Sequence, residues 1–372
     1  MTLPPRSAAP PGAALSCRSL LLAVLAFGLL LSGQPARLAA AESPRVPEVW
    51  FGPAPSSPDY LRLFTEPAAW RRARAKVKAF LFSTQAAGFA QPGQPNTLAD
   101  LTRVDAFRKV KEWGLATAIE APSVRGWDCS GRRAAAITEK MIDNIIAAGG
   151  SVDIVSLDEP LSSGFPRGSP SCKLSDAAIA ATVAGYIQTV KTSPGLASRW
   201  RPPEFVDIEP YPGISADDLA GWVRELLAHG VRLAGLTLDV DMNLVQQSTE
   251  RLFRLVPDLQ RLHQVLQRAG VAFGIILWSG HDPLRTDQIY YNFTMDWSRI
   301  VHRALGRPEY VVFESWVTRC SLSGVCSATH CTAADPPYCG EKSIPLNLPE
   351  DDINIASHTR LINHALASLE MK

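Results

Sequence analysis

The chain has 372 residues, 46% of them hydrophobic, and 37 Lys and Arg against 36 Asp and Glu give it a formal net charge of +1. No basic patch stands out, which argues against a nucleic-acid partner. The length is ample for one large domain with its own core.

The first 41 residues read as a removable export signal. Arg6 and Arg18 precede an apolar run over residues 20–31, and Ala39-Ala40-Ala41 supplies small residues for cleavage. The run is short against the roughly 20 residues of a membrane span. A retained signal anchor is the alternative. Cys17 lies before the run, unlike a lipoprotein cysteine, and no paired arginine marks a twin-arginine route. The expectation is a signal peptide over 1–41 and one domain over 42–372. It would be secreted or periplasmic, monomeric, and without a membrane span after cleavage.

In chain order, strand-like apolar runs fall at 49–52, 78–84, 115–121, 152–158, 204–209, 233–239, 272–279 and 309–316. Their nearly continuous apolar character suits strands buried on both faces. Between them lie runs of helical period at 59–75, 98–113, 133–148, 176–192, 216–229, 257–269 and 286–304, and a last one at 357–369. Ile137, Met141 and Ile145 illustrate the spacing. Gly114, Gly149, Gly230 and Gly270 each follow a helical run and precede a strand, as helix-ending glycines do. Strand then helix, eight times over, predicts an α/β fold: a single closed (β/α)8 TIM barrel. No G-x-G-x-x-G or Walker lysine loop follows any strand, so a nucleotide-binding fold is disfavoured and no cofactor is expected.

Six cysteines follow the leader: Cys129, Cys172, Cys320, Cys326, Cys331 and Cys339. An even number in an exported chain reads as disulfides. The favoured pairing is Cys129 with Cys172, joining the loops after strands three and four, and the other four among themselves in the long last loop. Zinc held by those four and His330 fits poorly, because no C-x2-C pair is present.

Acidic residues collect at the strand ends. Glu120 ends the third run, Asp158-Glu159-Pro160 the fourth, Asp207-Ile208-Glu209 the fifth, Asp239-Val240-Asp241 the sixth, and Glu314 the eighth. A carboxylate in an apolar strand is costly to bury alone, so such residues make sense where strand ends converge on one polar site. Strand alternation puts Asp207 with Glu209, and Asp239 with Asp241, and predicts that both pairs point into the barrel mouth while Ile208 and Val240 face the helices. Pro160 ends the fourth strand, so either Asp158 or Glu159 can reach the mouth. Trp50, Phe51, Trp127, Tyr211, Trp278 and Trp316 fall at or just past strand ends, where aromatic rings could stack on sugars. Paired carboxylates are what glycoside cleavage needs: one protonated acid and one ionised nucleophile or base. His281, after the seventh run, is a further candidate for substrate binding. Asn292-Phe293-Thr294 is a glycosylation sequon lying inside a helical run.

With those residues in view, the chain resembles the (β/α)8 glycoside hydrolases that end strand four in Asn-Glu-Pro. The matching residues are Asp158-Glu159-Pro160, with Asp158 in place of Asn. The resemblance implies an acid/base role for Glu159 and a nucleophile role for Glu314, although that family's nucleophile ends strand seven and Glu314 falls on the eighth run. It implies an oligo- or polysaccharide substrate. If Glu314 does not serve, Glu209 or Asp239 is the natural second carboxylate. Asp158, Asp207, Asp239, Asp241 and Glu120 would bind or tune the substrate, and Trp127, Tyr211, Trp278 and Trp316 would stack on it. The chain also resembles exported bacterial barrel proteins of no assigned activity. Two other readings stay open: a glycan-binding barrel without turnover, and a metal-dependent phosphoester hydrolase using Asp207, Glu209, Asp239 and Asp241 as oxygen ligands.

Overall fold

Eight parallel strands pair in chain order and close on themselves, β1 with β8. They are β1 Val49–Gly52, β2 Ala79–Phe82, β3 Ala116–Ala121, β4 Ile154–Asp158, β5 Glu204–Tyr211, β6 Gly235–Val240, β7 Ala272–Leu277 and β8 Tyr310–Glu314. The computed structural model describes residues 48–164, 172–193, 202–279, 286–317 and 344–370. The leader, the 280–285 segment with His281, and the 318–343 segment with His330, Cys320, Cys326, Cys331 and Cys339 lie outside those residues.

All eight expected strands form, including the short first one, so Glu314 sits on β8 and not on β7. The helices follow the expected order, with three differences. The run at 59–75 divides into Arg62–Thr65, a 3-10 turn Pro67–Trp70, and Arg71–Lys76. Pro67 has no N–H to continue the first helix. The run at 98–113 divides into Leu98–Arg103 and Ala106–Glu112 at Asp105, whose φ is +56°. The helix expected from Pro257 starts at Thr249, capped by the Ser248 hydroxyl, and carries Pro257 inside it. Gly114, Gly149, Gly230 and Gly270 all have positive φ, as helix-ending glycines should. Among the described residues no helix is long and apolar enough to cross a membrane.

Register decides which side chains face the barrel axis, because residues paired across a parallel sheet share a face. Glu120 pairs with Ser156, and Asp158 with Ile208. Ile208 pairs with Thr237, Thr237 with Gly274, and Gly274 with Tyr310. These residues point inward. Tyr310 fills the lower interior: it stacks on Trp50 with centroids 5.3 Å apart, and its hydroxyl meets Thr237 Oγ1 at 2.6 Å. A Cβ on Gly235 would stand 2.7 Å from the Tyr310 hydroxyl, so that position admits only glycine without a shift. The alternate residues face the helices. Phe51, for example, packs against Trp70, Phe80 and His358.

Candidate active site

Besides Asp158 at the end of β4, four carboxylates converge at the C-terminal mouth: Glu120 from β3, Glu159 just past β4, Asp239 from β6 and Glu314 from β8. Glu120, Asp239 and Glu314 reach it by strand parity, each in the inward row fixed by register. Glycine at position 52 of β1 makes room for Glu314, since a Cβ there would lie 3.2 Å from Glu314 Cγ.

Glu159 reaches the mouth differently. Asp158 already points inward, so an extended Glu159 would point outward. Instead Glu159 adopts φ +49°, a left-handed conformation that costs a non-glycine residue about 1–2 kcal/mol. It does so directly before Pro160, where the backbone is further restricted. Its N–H donates to the Ile208 carbonyl at 3.1 Å.

Burial raises the pKa of every member of this group. For Glu314 burial acts first, then the charges of Glu120 and Asp239, and the result lies well above the carboxylate range. Asp239 is pushed up to about 8 by burial, then by Glu159; the Trp278 indole opposes the shift, and Asp241 and Glu120 add to it. That indole N–H lies near Asp239 yet completes no hydrogen bond of good geometry, and Asp239 Oδ1 and Glu314 Oε2 are also unpartnered among the described residues. Glu120 and Glu159 are raised by burial against the opposing charge of Arg125. Arg125 is ion-paired with Asp158 and donates to Ser163 Oγ at 3.0 Å. Asp158 therefore stands at the mouth as the partner of Arg125.

A cleft of about 680 Å³ opens beside Glu159, lined by Thr84, Phe89, Arg125, Trp127, Arg133, Asp158, Glu159 and Ser162. Glu120, Asp239 and Glu314 do not line it. Trp127 is 48% exposed, and the Arg133 guanidinium lies 5.3 Å from its ring centre. The loop carrying Trp127 is tied to the one after β4 by the expected Cys129–Cys172 disulfide. Trp278 and Trp316 pack together past β7 and β8 with centroids 4.6 Å apart, and Trp316 is 42% exposed. Of the expected aromatic residues, Trp127 and Trp316 are thus exposed past their strand ends and Trp278 is buried.

Other expectations are corrected. Asp207 and Glu209 do not enter the mouth, because register gives the inward positions of β5 to Val206 and Ile208. Asp207 Oδ2 accepts from Trp222 Nε1 at 2.7 Å, in the helical layer. Burial, with Glu159 adding and Trp222 opposing, pushes Asp207 up to about 8. Glu209 accepts from the Leu161 N–H at 2.6 Å and the Ser162 N–H at 3.1 Å. Its pKa is raised well above the usual range by burial, then by Asp207, against those amides. Neither residue is placed to act on a substrate in the mouth. Asp241 lies past the end of β6 and caps the Met242–Gln246 helix, accepting from the Leu244 N–H at 3.0 Å. Tyr211 pairs with Val240 on the outward face, where its hydroxyl donates to Asp258 Oδ2 at 3.0 Å. It lines a separate cleft of about 480 Å³ with Arg251 and Arg254. Trp50 and Phe51 are core residues. Asn292 accepts from Gln288 within its helix, and Thr294 of that sequon is buried.

The expected oxygen-ligand set for a metal is divided by the barrel wall, with Asp207 and Glu209 outside it and Asp239 inside. Among the described residues no group of three His, Cys, Asp or Glu side chains is arranged to hold a metal ion. Arg125 is the cationic residue that sequence reading missed. Four residues past the end of β3 and without a motif, it is found only by where its loop folds.

No protein-family model matches this chain, and no curated protein sequence matches it. Similar solved structures include a fungal β-1,4-galactanase, 13% identical, covering 72% of this chain and 89% of its own, with a TM-score of 0.47. A psychrophilic family 10 endo-β-1,4-xylanase is 9% identical, covering 87% of this chain and 97% of its own, with a TM-score of 0.49. A Cellulomonas fimi endo-β-1,4-mannanase double mutant is 11% identical, covering 87% of this chain and 70% of its own, with a TM-score of 0.49. At these identities and scores the similarity reaches no further than the barrel.

Proposed function

We propose that this chain is an exported enzyme that cleaves an oligo- or polysaccharide with a pair of mouth carboxylates, Glu159 and Asp239. The observation that carries this reading is the left-handed turn at Glu159, which brings a second inward carboxylate out of β4 beside an open cleft. Glu159 faces the cleft and donates the proton to the leaving oxygen. Asp239, pushed up to about 8 by burial and next by Glu159, is the second carboxylate and serves as nucleophile or base in the molecules where it is ionised. Glu120 adds to the Asp239 shift, while burial and then the charges of Glu120 and Asp239 raise Glu314 well above the carboxylate range, so the nucleophile role expected for Glu314 passes to its neighbour. Trp127 offers a sugar platform on the cleft side, and Trp316, backed by the buried Trp278, on the other. Asp158 holds Arg125, which keeps the Glu159 carboxyl from rising further.

The test is Glu159→Gln assayed on a glycan panel, with thermal melting as the folding control. The expected loss is about 10²–10⁴-fold, as for removal of a general acid. Undiminished activity ends the assignment.

One observation favours a second reading, a glycan-binding barrel without turnover. Asp239 and Glu314 are both pushed toward the neutral form, which leaves few anionic nucleophiles at neutral pH. Binding without product release on a polysaccharide panel distinguishes it.

A further inference from the structure

We propose that Glu209 is a positioning residue: entering from the helical layer, its carboxyl group holds the turn that aims Glu159 into the mouth. The two residues stand on opposite sides of the barrel wall. Glu209 shares its face with Asp207 and Tyr211, away from the axis. From there Oε1 takes the Leu161 N–H at 2.6 Å and Oε2 takes the Ser162 N–H at 3.1 Å. Both amides open the short Pro160–Gly164 helix, where backbone N–H groups have no partner within the helix. The carbonyl of the preceding residue, Ile208, accepts the Glu159 N–H at 3.1 Å. On the far side, the Glu159 carbonyl accepts from the Ser163 N–H at 3.0 Å. Consecutive residues of β5 therefore fix the chain immediately before and after the Glu159 Cα.

This matters because Glu159 holds a φ of +49° that a glutamate does not adopt freely. Such a conformation persists only where its surroundings over-determine it. Released, the residue would return to the extended region, and strand alternation would turn its carboxyl to the outside while Asp158 stayed within. The clamp thus explains how two neighbouring acids on one strand end both serve the mouth. It also gives a reason for burying an acid at position 209. An amide side chain there could accept at one oxygen only, whereas the two convergent N–H groups are met by the two oxygens of the Glu209 carboxyl group.

The effect on turnover rests on the proposed role of Glu159, but the clamp is testable without turnover. In the full chain, Glu209→Ala is compared with wild type by hydrogen–deuterium exchange of peptides covering residues 159–163. The Glu159 carboxyl is titrated in parallel by NMR with labelled glutamate. Expected are exchange at least tenfold faster in that segment, unchanged exchange in β1 to β3, and a Glu159 titration moved toward the ordinary carboxylate range. Glu209→Gln, which keeps one acceptor oxygen, falls between the two and serves alone if the alanine variant does not fold. Tyr211→Phe, which removes another hydrogen bond on the same outward face, leaves both readouts where they are. Turn exchange and Glu159 titration equal to wild type in the Glu209 variants would overturn the proposal. So would an equal response in Tyr211→Phe. Full activity in Glu159→Gln would end the proton-donor reading and leave these two measurements standing.

Discussion

Trp222 Nε1 donates to Asp207 Oδ2 at 2.7 Å, joining β5 to the Ala216–Ala228 helix that follows it. The other carboxylate oxygen, Oδ1, is buried without a partner among the described residues. An acid in that setting is easier to keep neutral than charged, which links the stability of the wall to pH.

Asp207 is raised from 3.8 to about 8 in the folded chain. Between those values the folded protein keeps a proton that the unfolded chain gives up. The contribution is therefore fully present below about 3.8 and is lost as pH rises toward about 8. The urea midpoint of Asp207→Asn, set against wild type, should improve progressively from pH 4 to pH 8. A constant offset across that window would show that Asp207 titrates normally.

His358 gives the opposite sign. Its ring lies between Phe51 and Tyr290, with centroids 5.1 and 5.9 Å away, and both nitrogens lack partners among the described residues. Burial lowers its pKa from 6.5 to about 3. The unfolded chain takes up a proton below 6.5 that the folded chain refuses, so stability falls as pH drops from 6.5 toward 3. His358→Leu should lose stability less steeply than wild type over that range in acid denaturation. Parallel curves for the two proteins would contradict the assignment.

The Cys129–Cys172 bridge closes a separation of 43 residues. Loop-closure entropy for that length corresponds to about 4 kcal/mol, and measured values usually fall within about 2–4 kcal/mol. The Cys129→Ser, Cys172→Ser double variant should lose that much in equilibrium unfolding. Because Arg125 and Trp127 ride on the same loop, tryptophan fluorescence quenching should also increase. A loss under 1 kcal/mol with unchanged quenching would mean that the loops hold each other by packing alone.

How far the sequence was readable follows from where the information lies. Each strand announces itself locally as a run of apolar residues, five of the eight ending in an acid, so β1 to β8 could be located in order. The inward or outward sense of a strand is not local. It is fixed by pairing with residues far along the chain, and on β5 the Asp207–Glu209 pair fell on the opposite side from the pair on β6. Alternation was right that Asp207 and Glu209 share a face, and the expectation that this face is the mouth was wrong for β5. The partners that make the outward choice tolerable, Trp222 for Asp207 and the Leu161 and Ser162 amides for Glu209, carry no signature at positions 207 and 209. Glu159 was singled out from its motif, yet the reversal that delivers it is a backbone event, and glutamate before proline gives no sign of a positive φ.

The side chain of Tyr310, wedged between Gly235 and Gly274 and lying on Trp50, plugs the barrel below the acids. The barrel is closed at that end. The mouth acids stand at the opposite end of the barrel from that plug. On the proposed reading, substrate and product would share the one opening on the acids' side.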